Sequence, residues 1–263
     1  MNVTCYADNT PTPPNTSRDP SISDAEWSAR IELAALYRAL HLYGMTDLIY
    51  NHITVRVPGE PEHILLNPFG LLYKEVTASS LYKIHLNGDI IYQPPEAFGL
   101  NPAAYVIHTA IHRARHDALC VLHTHTRASS AVCAMACGLL PISQHSHMFL
   151  GRLAYHDFSG PEVKLAQQDS LIADLGSHNA MILRNHGLLV CGRTIGDAFF
   201  NIYWLETACR IQVDAMTANE LIMPSTETLE QSRKTFGGNT LRGEREWNAV
   251  RRELDRIDPS YRD

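Results

Sequence analysis

The chain has 263 residues, 45% of them hydrophobic and 19% charged, and its formal net charge is −6. This length permits one large domain or two small ones with a substantial core. The acidic balance argues against nucleic acid or an anionic membrane as the main partner. The sequence has no apolar run near the roughly 18 residues of a membrane span and no signal-peptide pattern at its start. Its six cysteines form no CxxC pair, which is typical of reduced thiols. We therefore expect a cytoplasmic protein with no membrane or nucleic-acid partner.

The first half of the chain alternates helix and strand signals after a polar start. Residues 1–20 are rich in Pro, Asn, Thr and Ser, which predicts a disordered segment. A capping box at Ser23 and Glu26 opens a predicted helix that ends at Gly44. The elements predicted next are strands at 51–57 and 63–66, a hairpin of strands at 81–86 and 89–92, a helix from 102 to about 116, and a strand at 118–123.

The second half continues the same alternation and ends in a polar, charged stretch. The predicted elements are a short helix at 128–137, a loop at 144–147, a helix at 170–175, strands at 180–183 and 188–191, and a long helix at 195–218. The chain shows no internal repeat and no clear interdomain linker. We therefore expect one α/β domain at residues 21–225, followed by a polar, partly helical C-terminal tail at 226–263.

Three histidines form the strongest candidate site. His123 and His125 lie at the end of a predicted strand, where alternate side chains point to the same face. His186 lies in an Asn-His-Gly segment further along, in which Gly187 is expected to allow an unusual backbone angle. Two imidazoles from a strand and one from a distant loop can hold a catalytic divalent metal and leave a position open for water or substrate. The alternative is a set of three structural histidines.

Two further groups of histidines lie outside this motif. His108, His112 and His116 repeat at four-residue spacing on one predicted helix face, where packing, hydrogen bonding or subunit contact is favoured over a second metal site. His145 and His147 lie on a predicted loop, with a plain surface loop as the alternative to a functional one. Because histidine titrates near neutral pH, a proton carrier can come from these groups. The candidate catalytic residues are His108, His145 and His147.

Several ordered segments resemble the adducin-like branch of the class II aldolase/adducin family. They are NHITVR at 51–56, LNPFGLLY at 66–73, EVTASSL at 75–81, GLLPIS at 138–143 and LRNHGL at 183–188. The likeness covers about residues 30–220. It implies a three-layer α/β/α domain around a mostly antiparallel central sheet, and a homotetramer with active sites between neighbouring subunits. It also implies that His123, His125 and His186 match the zinc ligands of the family's sugar-phosphate aldolases and epimerases.

The departures from the family pattern concern the catalytic acid and the phosphate loops. The aldolases carry a glutamate that binds the metal and moves a proton, and the matching position here is Ala104. Their hydroxyl-rich phosphate loops are replaced by Pro102, Ala103 and Phe69, among other residues. A sugar phosphate is therefore less favoured than a non-phosphorylated oxygen ligand.

Three residues near the altered loops remain candidates for substrate binding. Asn51 lies close to the position where the family has a loop asparagine. Gly70 is retained from the family pattern, and Tyr73 follows it directly after two leucines. We therefore expect Asn51, Gly70 and Tyr73 to contact the substrate.

Together these features predict a divalent-metal-dependent carbon–carbon lyase that acts on a non-phosphorylated hydroxy or oxo acid through a metal-stabilised enolate. Loss of the glutamate harms proton abstraction more than the release of carbon dioxide, so a decarboxylase is favoured slightly over a retro-aldolase. One divalent metal per subunit is expected, with zinc favoured and manganese or iron as alternatives. The alternative functions are a non-haem iron oxygenase that uses the same three histidines and a non-enzymatic, adducin-like binding or assembly module.

Overall fold

The computed structural model describes residues 18–95, 98–160, 168–218, 220–238 and 242–263. Residues 1–17, most of the segment predicted to be disordered, lie outside the described residues. Within the described part of the chain, no helix combines the length and the apolar character needed to cross a membrane.

The strands of the described residues form an eight-stranded sheet. They are β1 (His52–Val57), β2 (Glu60–Leu66), β3 (Tyr82–His85), β4 (Ile90–Tyr92), β5 (Cys120–Thr124), β6 (Leu153–His156), β7 (Ala180–Leu183) and β8 (Gly187–Gly192). Their order across the sheet is β4-β3-β2-β1-β5-β8-β7-β6. Neighbouring strands are antiparallel except β6 and β7, which are parallel. The predicted mostly antiparallel central sheet is confirmed.

Helices cover both faces of this sheet. They are α1 (Asp24–Leu42), α2 (Pro102–Ala114), α3 (Arg127–Cys133), α4 (Gln144–His147), α5 (Gln168–Leu175), α6 (Ile195–Ala215), α7 (Thr226–Phe236) and α8 (Glu244–Ile257). Side chains of α1, α3, α6 and α8 share the main core with one sheet face, and side chains of α2 and α5 share a second core with the other. The three-layer α/β/α arrangement is therefore also confirmed.

The alternation of side chains along β5 explains how one strand serves both cores. Cys120 and Leu122 point into the main core, whereas Val121 points into the core beneath α2 and α5. Because the period of a strand is two residues, His123 belongs to the same face as Val121. Residue His52 of β1 pairs directly with His123 of β5, so both imidazoles lie on the face that α2 covers.

Three elements differ from the sequence prediction. Helix α3 ends at Cys133 rather than at 137, where its last carbonyl accepts the backbone N–H of Asn185. The predicted loop at 144–147 is a one-turn helix, because the side chain of Ser143 accepts the backbone N–H of Ser146. Strand β6 was not predicted at all, and it joins the sheet edge by pairing with β7.

The C-terminal segment 226–263, expected as a tail outside the domain, is part of the folded unit. Trp247, Val250 and Leu254 of α8 are buried in the main core, and Tyr261 follows them there. Their spacing of three and four residues is that of one helix face. Composition alone did not predict this apolar stripe, because charged residues are abundant on the other faces of the helix.

Candidate metal centre

Three imidazoles meet at one edge of the sheet. His123 lies on β5, His125 follows the end of that strand, and His186 lies in the turn between β7 and β8. One ring nitrogen of each histidine lies within 4.8 Å of the other two. The Nε2 atoms of His123 and His186 are 3.2 Å apart. The structure therefore brings together the three histidines that the sequence predicts as metal ligands.

Hydrogen bonds at Nδ1 orient two of these rings. Nδ1 of His123 donates to the carbonyl oxygen of Leu188 at 2.9 Å, and Nδ1 of His125 lies 2.7 Å from Oδ2 of Asp47. A carbonyl and a carboxylate only accept, so each Nδ1 carries the proton and each Nε2 keeps its lone pair. This arrangement is typical of metal-binding histidines, whose second nitrogen is held by an oxygen acceptor.

The turn that carries His186 depends on two backbone features. Asn185 has a left-handed conformation with φ of 55°, and its N–H bonds to the end of α3. Gly187 was expected to supply an unusual backbone angle, but the positive φ belongs to Asn185. Gly187 is needed for space instead, because a Cβ there would collide with the carbonyl oxygen of Thr124 and lie 3.0 Å from Cβ of His125.

The donor set suits a divalent transition metal. Burial lowers the pKa of His123 well below its usual value, and His52, His186 and His125 lower it further. Burial also lowers the pKa of His125, although Asp47 opposes the shift. Both rings are therefore neutral at pH 7, which is the form that binds a metal. Three imidazole nitrogens suit zinc, copper, iron or nickel better than magnesium or calcium.

Ala104 occupies the position of the family glutamate on α2. Ala104 is 1% exposed and packs in an apolar cluster with Ile64, Leu66 and Ile84. Within the described residues, the three-histidine cluster contacts a carboxylate at Asp47, which accepts a hydrogen bond from Nδ1 of His125. Sequence reasoning missed Asp47, because it lies in a loop far upstream of His125 and belongs to no recognisable spacing.

The predicted substrate-binding residues lie at different depths. Asn51 is buried, and its Oδ1 accepts the backbone N–H of His125 at 3.3 Å while its Nδ2 donates to the carbonyl of Met45. It thus supports a candidate ligand. Tyr73 is 1% exposed and packs edge-on against Tyr37 in the main core, so a substrate has no access to its ring in this structure.

Gly70 lies in the loop after β2 and adopts a positive φ of 149°. A Cβ at this position would come within 3.0 Å of the Phe98 side chain. Phe98 is itself about half exposed. The glycine therefore lets the loop approach an aromatic side chain closely, and its contact with substrate stays a prediction.

The two histidines of α4 contact residues outside the three-histidine cluster. The ring of His145 lies 4.6 Å from that of Trp204. His147 donates from Nε2 to the carbonyl of Pro141 at 3.2 Å, and its Nδ1 accepts from Oγ of Ser232 at 3.1 Å. Within one subunit these bonds hold the His147 ring in place; a catalytic role across a subunit boundary stays a prediction.

His108 lies in a buried chain of hydrogen bonds beside the cluster. Its Nε2 lies 2.7 Å from Nδ1 of His52, and its Nδ1 lies 2.7 Å from Oγ1 of Thr54. The same hydroxyl lies 2.8 Å from Nε2 of His112, whose Nδ1 donates to the carbonyl of Ala118 at 3.0 Å. Of the predicted face of three histidines, two are buried against the sheet and His116 lies exposed beyond the helix end.

The chain belongs to the family described as Class II Aldolase and Adducin N-terminal domain, whose model matches residues 31–213. A Pseudomonas syringae protein of the aldolase II superfamily is 48% identical, with a TM-score of 0.87 over 92% of this chain and 98% of its own. The L-fuculose 1-phosphate aldolase of Glaciozyma antarctica is 26% identical, with a TM-score of 0.82 over 94% of this chain and 96% of its own.

Curated relatives include both aldolase-type and adducin-type proteins. A Caulobacter vibrioides protein grouped with the class 2 aldolases is 41% identical over 95% of this chain and 98% of its own length. Rat alpha-adducin is 48% identical over 72% of this chain, but this match spans only 26% of the adducin. The resemblance inferred from the sequence motifs is therefore confirmed.

Proposed function

We propose that this protein is a divalent-metal-dependent carbon–carbon lyase that acts on a non-phosphorylated hydroxy or oxo acid, with decarboxylation favoured over retro-aldol cleavage. The observation that carries the proposal is the three-histidine cluster, whose ring nitrogens lie within 4.8 Å of one another. His123, His125 and His186 would hold the metal, with zinc favoured and manganese or iron as alternatives. A metal bound there would act as a Lewis acid that polarises a carbonyl or hydroxyl oxygen of the substrate.

The apolar surroundings of Ala104 support decarboxylation over aldol cleavage. Aldol cleavage requires removal of a hydroxyl proton, and the position of the family carboxylate that performs this step is occupied here by Ala104, which can neither take nor give a proton. Departure of carbon dioxide needs no base at that stage. A non-phosphorylated substrate is supported by Pro102 and Phe69, which replace hydroxyl side chains of the family's phosphate loops.

The test combines metal analysis with product detection. The protein is purified without added metal, and the metal content per subunit is measured for the wild type and for His123→Ala and His125→Ala. The loaded protein is then incubated with a panel of hydroxy and oxo acids while carbon dioxide is measured. His116→Ala is the matched control, because His116 is an exposed histidine outside the cluster.

We expect about one metal per subunit in the wild type and in His116→Ala, and a loss of metal in both cluster variants. Carbon dioxide release should stop with a chelator and in His123→Ala. Stoichiometric iron with iron-dependent oxygen uptake would instead identify the non-haem oxygenase that is the alternative for this site. Bound metal without carbon dioxide or aldol products from any acid would count against the lyase.

A non-enzymatic, adducin-like binding or assembly module is the second candidate, and the 48% identity to rat alpha-adducin favours it. This candidate predicts a folded oligomer with little metal and no turnover. The lyase proposal also includes a homotetramer with active sites between subunits and a cytoplasmic location. Light scattering of the purified protein tests the tetramer, since a monomer would place every site residue within one chain.

A further inference from the structure

A buried row of polar side chains connects α2 to the three-histidine cluster. Thr54, His108 and His112 are each 0% exposed, and His52 is 2% exposed. Three hydrogen bonds of 2.7 to 2.8 Å connect them in the order His52, His108, Thr54, His112. Burying such a row is costly unless every polar group in it has a hydrogen-bond partner. The donor and the acceptor of each bond can therefore be assigned in turn, starting from one end of the row.

The carbonyl oxygen of Ala118 determines the direction of the hydrogen bonds in the row. It only accepts, so Nδ1 of His112 carries a proton and Nε2 of this neutral ring accepts from the Thr54 hydroxyl. The hydroxyl has one proton, and it must therefore accept from Nδ1 of His108. Nε2 of His108 is then the acceptor for Nδ1 of His52. The remaining nitrogen of the last ring, Nε2 of His52, is left without a proton.

The other neighbours of His52 belong to the metal centre. His52 is the direct cross-strand partner of His123, and the two ring centroids are 4.9 Å apart. His125 and His186 are also within electrostatic range of His52. The two nitrogens of an imidazole point in widely different directions, so Nε2 faces away from α2, with which Nδ1 is bonded. His52 is not among the three residues whose ligand atoms all lie within 4.8 Å.

We propose that His52 is a further residue of this site, which presents an unprotonated Nε2 as a hydrogen-bond acceptor to a hydroxyl group or water held beside the three histidines. Thr54, His108 and His112 are positioning residues that fix its tautomer. This inference rests on the proposed function for the identity of the site, but its geometry can be tested without turnover. The chemical consequence is selectivity: a substrate must offer an O–H donor at this point, because an acceptor would face a lone pair.

Neutron diffraction from deuterium-exchanged, metal-free crystals at pH 7.5 tests the proposal directly. We expect deuterium on Nδ1 of His52, His108 and His112, none on Nε2 of His52, and an ordered water donating to that atom. Deuterium on Nε2 of His52, or a protein donor occupying it, would overturn the proposal. Failure of the lyase assay would leave this result unchanged, so the two hypotheses fail separately.

Zinc titration distinguishes an acceptor from a fourth ligand. We expect His125→Ala to weaken zinc binding more than about 100-fold and His52→Ala less than about tenfold. An equal loss of zinc affinity in the two variants would show that His52 is a metal ligand and would contradict its role as a hydrogen-bond acceptor. Circular dichroism of both variants checks that the fold is retained.

The tautomer can also be tested by breaking the row at its hydroxyl. In Thr54→Val the ring of His108 loses the acceptor that orients it, so His52 should populate both tautomers, as read from imidazole ¹⁵N signals in solid-state NMR. Thr109→Val is the matched control: Thr109 is equally buried, but its hydroxyl bonds to the carbonyl of Tyr105 within α2. A single His52 tautomer in Thr54→Val would refute the positioning role.

Discussion

Oδ2 of Asp47 lies 2.7 Å from Nδ1 of His125, in a loop that precedes β1. The carboxylate side chain is 45% exposed, whereas the histidine side chain is 18% exposed. The contact therefore joins the surface of the protein to the candidate metal centre. Because it keeps the proton of His125 on Nδ1, it leaves Nε2 available to a metal.

Removing this contact should weaken metal binding without unfolding the protein. We expect Asp47→Ala to raise the zinc dissociation constant about 10- to 100-fold, as is usual for a residue that orients a ligand. Competition with a chromogenic chelator measures the change. Asp174→Ala is the control, since Asp174 makes the same kind of contact with His156 at 2.6 Å and has a similar exposure of 46%. Equal zinc affinity in Asp47→Ala and the wild type would contradict the assigned role.

Gly187→Ala should damage the metal centre more than a glycine-to-alanine change with a similar collision elsewhere in the fold. The added Cβ would collide with the carbonyl of Thr124 and press on His125, at an expected cost of about 1–3 kcal/mol in the free energy of unfolding. Gly192→Ala would collide with the backbone of Ala198 at the other end of β8. Urea unfolding should show losses in both variants, and metal analysis should show a loss in Gly187→Ala alone.

The buried histidines predict a dependence of stability on pH. Burial lowers the pKa of His112 to about 3 and lowers those of His52 and His108 well below the usual value. The unfolded chain therefore binds protons first as the pH falls. The free energy of unfolding is greatest above about pH 6.5 and decreases below it, by up to ~1.4 kcal/mol per pH unit for each histidine, until the pH passes the folded-state pKa.

Urea unfolding of metal-free protein at pH 7.5 and pH 5.0, at one protein concentration, measures this loss. We expect His112→Gln to lose up to about 2 kcal/mol less than the wild type between these values, because one proton-binding difference is gone. Exposed His116→Gln should behave as the wild type does. If His112→Gln and the wild type lose the same amount, the ring of His112 is not held neutral by the fold.

The C-terminal helix should be essential for stability. Trp247 is 4% exposed in the main core, and its indole N–H donates to Glu32 at 2.7 Å. We expect Trp247→Ala to lower the free energy of unfolding by about 3–5 kcal/mol. Arg245→Ala, an exposed change on the same helix, should lower it by less than about 0.5 kcal/mol. A small effect of Trp247→Ala would show that the segment is a tail after all.

Most strands and long helices were predictable because their signals are local. A continuous apolar run at 118–122 marks β5, and the capping box marks the start of α1, where Ser23 accepts the backbone N–H of Glu26. Helix α4 and strand β6 were not predictable, since four residues carry too little periodicity to distinguish a turn of helix or an edge strand from a loop. The partly helical character of the C-terminal segment was predicted, but the packing of α8 into the core was not, because only three of its side chains form the apolar stripe.

Among the residues of the candidate site, the three histidines were predictable from the sequence, whereas their hydrogen-bond partners were not. His123, His125 and His186 stand out in the sequence, because strand periodicity selects the first two and the family motif selects all three. Asp47, His52 and Thr54 do not, since each acts through a hydrogen bond to a residue far away along the chain. By itself the sequence determined the fold class, the family and the three candidate ligands. Only the tertiary structure decided which nitrogen carries the proton in His123 and His125, because acceptors from other parts of the fold settle that choice.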